Sequence, residues 1–487
     1  MAALASNTPL SAHHVLFAGP SEGLDLFRQN LQRRNPQVRV TSLADAAPDQ
    51  SKVGADAIAW HAPHACSEEL EALAPLMVER LGQNGRLLAP AGAAEVLAER
   101  LEATSLRLAP ALALQGPSQP GDENLIRADR TSRAPLALHM AALSPRFMDI
   151  RTRLPIHELS TEPSLTVSYE EGTLRPPPLA IDHPKVLVVQ RPWFADADAW
   201  QRNAALLTAK GWVVVIEFDD HPTLVDQTRG VSGPEGWRQF STCHAVQTST
   251  DDLQELLRPL NGETVVFRNA VFDLPPPPKR AGPPRIFYGA LNRGSAAVEV
   301  AASLSPYTKR FPRAEFVVVS DRAVFDALPT KTKRFHQALN FHDYQQLMRS
   351  CDIALSPLHD DDLSRCKSDA KQLDAARNAV ALIASPTVYA KTIRDGHDGF
   401  IASELSEWSR ILLRLTLDAG LRKTTAQRAW EEVRDHRMFA HQVGERHDWY
   451  QSLWRRRDLL TGRAMERAPI YAHTLRQIAP DIAEAAD

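Results

Sequence analysis

The sequence predicts an α/β protein of doubly wound parallel sheets, a small first unit followed by two larger units that face each other. Three observations carry this. Short apolar runs ending in Gly or Pro alternate with stretches of helical spacing, as in HVLFAG at 14–19, KVLVVQRP at 185–192 and RIFYG at 285–289, the pattern of parallel sheets with crossover helices. The chain has 487 residues, past the roughly 250–300 at which a single core stops growing. Four consecutive prolines at 275–278 separate two such units, and a proline run is a stiff, extended spacer or hinge.

In chain order, the first unit has strands in HVLFAG and AIAW (57–60), a helix over 68–81, a turn at Asn84-Gly85, the strand RLLAP (86–90) and an Ala-rich helix over 91–100. Proline and polar clusters then mark 115–185 as connecting chain with short elements. The second unit takes strands at 186–189 and 212–218, a helix at 199–210 broken by Gly211, and the strand HAVQTST (244–250). Thr250 is placed to cap the helix DDLQELLRPL, whose first turn is acidic as an N-terminus prefers. A strand at 264–268 completes this unit. The third has strands at 285–289, 315–320, 351–355 and 379–385, a helix at 344–350, and helical patterns from about 405 to 485.

Composition narrows the function. There are 56 Lys+Arg against 59 Asp+Glu, a net charge of −3, which argues against a generic nucleic-acid binder. With 44% hydrophobic and 24% charged residues, the chain reads as an ordinary globular protein. No apolar run reaches the about 18 residues of a membrane span. The start MAALASNTPLSAHH lacks a basic stretch and a long apolar stretch, so no secretory leader is expected. The cysteines, Cys66, Cys243, Cys351 and Cys366, are scattered, which fits reduced thiols and a cytoplasmic protein. The acidic run Asp360-Asp361-Asp362 reads as a solvated loop.

The segment CKSDAKQLDAAR (366–377) is the most informative. With Ser368 as N-cap, a helix would present free N–H groups, which bind phosphate. Lys367 stands just outside and Lys371 shares a face with Asp374. Cations at a helix N-terminus oppose the macrodipole, so they make sense there if an anionic ligand arrives. A plain surface helix with a Lys–Asp pair is the alternative.

FYGALNRG (287–294), CDIALSPL (351–358), KSDAKQLDAARNAVALIAS (367–385) and IRDGHDGFI (393–401) together resemble the donor half of nucleotide-sugar glycosyltransferases of the GT-B fold. HAVQTST and VVFRNAVF (266–273) resemble the end of that family's acceptor half, so the resemblance covers about 185–440. It implies two facing Rossmann-like domains after the small first one. It also implies a UDP- or GDP-sugar donor used without metal, and transfer with retention. Asp374 matches the carboxylate on the donor ribose, shortened from the usual Glu. Lys367 and Arg293 match the cations on the diphosphate, Gly289 the close backbone approach, and Asn292 the support of that loop. Lys371, Ser368 and Tyr389 complete the donor side. The family's second, sugar-contacting carboxylate falls on Cys366, for which Asp369 is a substitute.

On the acceptor side, Asp219-Asp220-His221 ends a strong strand, where functional groups collect in such sheets. His221 would take the acceptor proton, with Asp220 orienting it and Lys367 completing the catalytic set. Arg191 is a weaker cleft candidate. Residues 1–130 resemble a truncated class I methyltransferase, in ADAIAWHAP and QNGRLLAP, but GPSEG (19–23) lacks the usual glycine spacing. The expected division is 1–130 for this domain, 131–278 for the acceptor lobe, 279–440 for the donor lobe, and 441–487 for helices packing back on the acceptor lobe. The acceptor would be a glycan, lipid-linked glycan or protein. Arg455-Arg456-Arg457 allow contact with an anionic membrane, while Trp449, Tyr450 and Trp454 read as core. A non-catalytic scaffold on a decayed transferase frame and a methyltransferase acting through the first domain are the alternatives.

Overall fold

The computed structural model describes residues 1–44, 54–61, 73, 76–90, 93, 97, 106–110, 125–130, 134–143, 149–192, 196–224, 237–289 and 293–486. Cys66 and most of the helices expected over 68–81 and 91–100 lie outside the described residues. The described strands form three six-stranded sheets, one after another along the chain.

The first sheet holds β1 (His14–Ala18), β2 (Arg39–Ser42), β3 (Ala55–Trp60), β4 (Leu81–Pro90), β5 (Leu106–Pro110) and β6 (Leu125–Arg130), in the order β2-β1-β3-β4-β6-β5. Strands β1 to β4 are parallel, and β6 runs antiparallel between β4 and β5. Helices α1 (Ala2–Asn7) and α2 (Ser21–Gln32) pack Leu4, Phe27 and Leu31 against Val15 and Phe17. Asn84-Gly85 does not form the turn expected ahead of the strand at 86–90. β4 runs through it, with Asn84 at φ 61 and a register shift against β3 between Ala55 and Ala57. An irregularity absorbs the left-handed residue inside the ladder.

The second sheet holds β7 (Leu136–Ala142), β8 (Leu165–Glu171), β9 (Lys185–Gln190), β10 (Val213–Phe218), β11 (Ala245–Thr248) and β12 (Thr264–Val266). Its order is β12-β11-β10-β9-β7-β8, and every pair is parallel. The stretch expected as connecting chain thus supplies β6, β7, β8 and helix α3 (Leu154–Leu159). All seven residues of β7 are buried, so LALHMAA shows no polar alternation, as for a strand covered on both faces. Helix α4 (Ala197–Ala209) covers one face of this sheet, where Trp200 and Ala204 meet Leu187, Val189 and Val214. Thr250 caps the helix after β11, accepting from Leu253 N at 3.3 Å.

The third sheet holds β13 (Arg285–Gly289), β14 (Glu315–Val319), β15 (Lys333–His336), β16 (Ile353–Ser356), β17 (Ala381–Ala384) and β18 (Phe400–Ile401). All are parallel, in the order β15-β14-β13-β16-β17-β18. Such an order opens a crevice between β13 and β16, where ligands of these sheets bind. Helices α5 (Gly294–Ser303), α6 (Phe341–Arg349) and α7 (Ala370–Arg377) border that crevice or its neighbours.

The proline run is clamped to this lobe. Trp430 Nε1 donates to Pro275 O at 2.9 Å and Arg349 Nη2 to Pro276 O at 2.5 Å. Arg280 follows, donating to Arg349, Asn378 and Ala379 carbonyls at 3.0, 2.6 and 2.7 Å. The chain then returns: α8 (Val443–Arg455), α9 (Arg457–Arg467) and α10 (Pro469–Ile478) pack on the second sheet. Tyr450 and Leu453 meet Val186 and Val215, while Tyr471 and Leu475 meet the opposite face. Arg456 is spent on Glu263, at 2.8 and 2.7 Å. The two crossings between lobes pair with each other: Val271 N donates to Arg437 O and Phe439 N to Val271 O, both at 2.8 Å. No helix among the described residues is long and apolar enough to cross a membrane.

Candidate functional site

Strand β13 ends at Gly289. A Cβ there would stand 2.9 Å from Phe287 Cε1 and 2.9 Å from Tyr344 Oη. The glycine is therefore required by the close approach of Tyr344. Asn292 lies outside the described residues. Arg293 precedes Gly294, which, at φ 57, opens α5. Arg293 is 8% exposed, yet its Nε and Nη1 have no hydrogen-bond partner among the described residues. Buried donors of this kind are normally satisfied, and leaving one unpaired costs about 1–3 kcal/mol.

Arg293 lies close enough to act electrostatically on Lys371 and Tyr344. Lys371 Nζ donates to Tyr344 Oη at 2.7 Å, sits 4.3 Å from that ring's centroid, and is 3.5 Å from Asp374 Oδ2. Burial holds its ammonium below the usual value and Arg293 adds to this, while Asp374 opposes. Asp374 Oδ1 accepts from Gln345 Nε2 at 2.5 Å, and Gln345 Oε1 is held by Asn378 Nδ2 at 2.6 Å. The group is a buried cation with open donors, a second cation and an oriented carboxylate.

Helix α7 starts at Ala370 with Asp369 at the N-cap position, one residue beyond the Ser368 cap expected. Its side chain caps nothing there, because Arg437 holds its carboxylate at 2.7 and 3.0 Å. Ser368 Oγ accepts from Asn269 Nδ2 at 2.8 Å. Both crossings between the lobes thus grip the start of α7. Asp369 is engaged in that grip, which occupies the residue expected to substitute for the missing carboxylate. Cys366 is buried, and its thiol is pushed up to about 11 by burial and by Asp252, Asp220 and Asp362. It stays neutral where the family pattern has an anion.

Lys367 reaches across the lobes, its Nζ 3.6 Å from Asp220 Oδ1. Asp220 also accepts from Arg191 Nη2 at 3.4 Å, and Asp219 from Arg191 Nε at 2.6 Å. Arg191 follows β9 at φ 45. Burial raises the Asp219 carboxyl, but Arg191 and Arg151 outweigh it and hold the group below its ordinary value. His221 Nδ1 accepts from Thr223 N at 3.2 Å, and its ring meets Trp237 edge-on at 5.7 Å.

The structure therefore brings Asp220 and Lys367 together across the cleft, and gathers Arg293, Lys371 and Asp374 at the third sheet. Tyr389 is 0% exposed, with its hydroxyl 2.7 Å from Ser356 Oγ. It belongs to the core that supports the end of β16. Sequence reading missed Tyr344, Gln345, Asn269 and Arg437. Tyr344, Gln345 and Arg437 sit in no motif, Asn269 lies in VVFRNAVF without an assigned role, and each acquires its partner from a distant segment. Among the described residues no three His, Cys, Asp or Glu side chains gather as metal ligands would.

No family model matches the chain, and no curated protein matches it. HepE from Anabaena, crystallised with UDP and glucose, is 13% identical over 65% of this chain and 99% of its own, with a TM-score of 0.46. The UDP-GlcNAc 2-epimerase of Neisseria meningitidis, bound to UDP-GlcNAc, is 12% identical over 63% of this chain and 99% of its own, with a TM-score of 0.40. A point mutant of S. aureus TarM, in complex with fondaparinux, α-GlcNAc-glycerol and UDP, is 10% identical over 55% of each chain, with a TM-score of 0.40. The match thus spans only about half of TarM's length.

Proposed function

We propose that this chain is a glycosyltransferase that moves a sugar from a nucleoside-diphosphate donor to a hydroxyl of a glycan, lipid-linked glycan or protein acceptor. The observation that carries the reading is Arg293, a buried guanidinium with two unpartnered nitrogens beside the crevice between β13 and β16. A donor diphosphate would satisfy them and draw on Lys367 and Lys371 as well. Charge-assisted bonds of this type are strong, and they stabilise charge that grows on the leaving group. Asp374, oriented by Gln345 and Lys371, is placed to accept from ribose hydroxyls.

In the reaction the bond from the anomeric carbon to the diphosphate oxygen breaks and its electron pair leaves with the nucleoside diphosphate. The acceptor oxygen forms the new bond to that carbon, and its proton passes to His221. The Lys367–Asp220 contact holds the lobes so that donor and acceptor meet, and such positioning lowers the barrier.

The test is ligand-induced thermal stabilisation with UDP, GDP, CMP, their sugar derivatives and S-adenosylmethionine, on wild type and Lys367→Ala. One nucleoside diphosphate should raise Tm in the wild type, and the variant should lose that shift. A flat response to all nucleotides would favour a non-catalytic scaffold. A shift with S-adenosylmethionine alone would place the activity in the first domain.

A further inference from the structure

A cavity of about 690 Å³ opens where the first domain meets both lobes. Small-ligand sites run to roughly 300–1,000 Å³. Its wall takes Ser6 from α1, Asn30 from α2, Arg34 just beyond its end, His157 from α3, and Asn340 and Asp374 from the third-sheet lobe. Asp374 is thus shared between this cavity and the Arg293 cluster.

The first domain is fixed at this place. Arg33 Nη2 lies 2.7 Å from Asp273 Oδ2, which Arg377 Nη2 also approaches at 3.2 Å. Leu274 N donates to Arg33 O at 2.8 Å, and Leu10 N to Thr161 Oγ1 at 3.1 Å. Arg34 pairs with Glu158 and with the Ala5 carbonyl. At 8% exposure its Nε still finds no partner among the described residues. A buried donor on the cavity wall is thus unsatisfied, as at Arg293.

The charge on the wall says what fits. Four arginines face four carboxylates around the cavity, four amides, two imidazoles and a serine stand among them, and two phenylalanines and eight aliphatic side chains supply apolar faces. A polyanion would need an excess of cations. A lipid tail would strip water from the polar groups without replacing its hydrogen bonds. An uncharged, hydroxyl-rich ligand satisfies paired charges and amides together.

We propose that this cavity seats a neutral saccharide acceptor, and that the first domain, through α1 and α2, selects which saccharide enters. This rests on the glycosyltransferase reading above and gives the first domain a part in it. Among the described residues the wall does not include His221, so the part of the acceptor held here is a stretch remote from the hydroxyl that reacts.

The experiment probes a printed array of neutral and acidic oligosaccharides with the full chain, as wild type, Asn30→Trp and Ser6→Trp. Both indoles would project into the cavity from partly exposed helix positions, and two sites guard against one variant failing to fold. Thermal shifts with UDP and GDP are recorded alongside. Neutral saccharides should be retained by the wild type and retained at least tenfold more weakly by a folded variant, with the nucleotide shift unchanged. Retention of acidic saccharides only, no retention at all, or equal retention by the folded variants would overturn the proposal. A flat nucleotide response in the wild type counts against the transferase reading alone, because array retention reports the cavity directly.

Discussion

Two buried arginines, one in each large lobe, stand in opposite states. Arg151 donates to Glu217 Oε1 at 2.7 Å, Phe267 O at 2.7 Å, Asn269 Oδ1 at 3.0 Å and Thr248 O at 3.3 Å. Its partner Glu217 also accepts from Gln247 Nε2 at 2.6 Å, and Tyr450 closes the network on Gln247 at 2.7 Å. Arg293 is similarly buried, but two of its nitrogens have no partner among the described residues. One guanidinium fastens four segments of the second-sheet lobe together. The other leaves two donors open, which the proposed donor diphosphate would fill.

The largest effect expected from breaking this contrast is at Arg151. Arg151→Met leaves Glu217 buried without its cation, a loss of about 3–5 kcal/mol, read as a lower urea midpoint. Arg293→Met should leave the midpoint near wild type or raise it, since an unsatisfied buried charge is removed. Nucleoside-diphosphate affinity by calorimetry should instead fall about 10- to 100-fold, the worth of one or two charge-assisted hydrogen bonds. Equal loss of stability in the two variants would erase the distinction.

A third prediction sharpens the picture of the satisfied lobe. His244 accepts from Val214 N at 2.9 Å and meets Thr461 Oγ1 at 3.1 Å, tying α9 to the sheet. Burial, helped by Arg467, pushes its imidazole down to about 4 from 6.5. The unfolded chain therefore takes up a proton first as pH falls. The contribution is complete above about 6.5 and is lost progressively between there and about 4. Unfolding free energy should drop by about 2 kcal/mol from pH 7.5 to 5.0, and His244→Gln should flatten that drop. The smallest effect is at Asp374: Asp374→Ala should weaken nucleotide binding about tenfold through lost ribose hydrogen bonds, with α7 retained by circular dichroism.

Legibility followed the range of the interactions. β13 was readable to the residue from RIFYG, and Thr250 from its acidic helix start, because both depend on neighbours within a few positions. β7 and β8 were hidden among prolines, since LALHMAA has no alternation and a short apolar run cannot be told from a buried helix segment by periodicity alone. Lys367, Lys371 and Asp374 were visible through their spacing and the family pattern. Arg437 was not, because its partner Asp369 lies 68 residues away. Ser368 was read as a helix cap from local preference, whereas Asn269, 99 residues distant, claims its hydroxyl.

The sequence by itself determined the α/β class, the parallel sheets and the cations gathered before α7, since apolar runs and helix periodicity act locally. Tertiary structure alone decided which charges are spent and which remain open. It paired Asp369 with Arg437, closed Lys367 on Asp220, and left Arg293 unsatisfied. Those outcomes depend on partners brought within hydrogen-bond range by the packing of whole lobes, which no local pattern records.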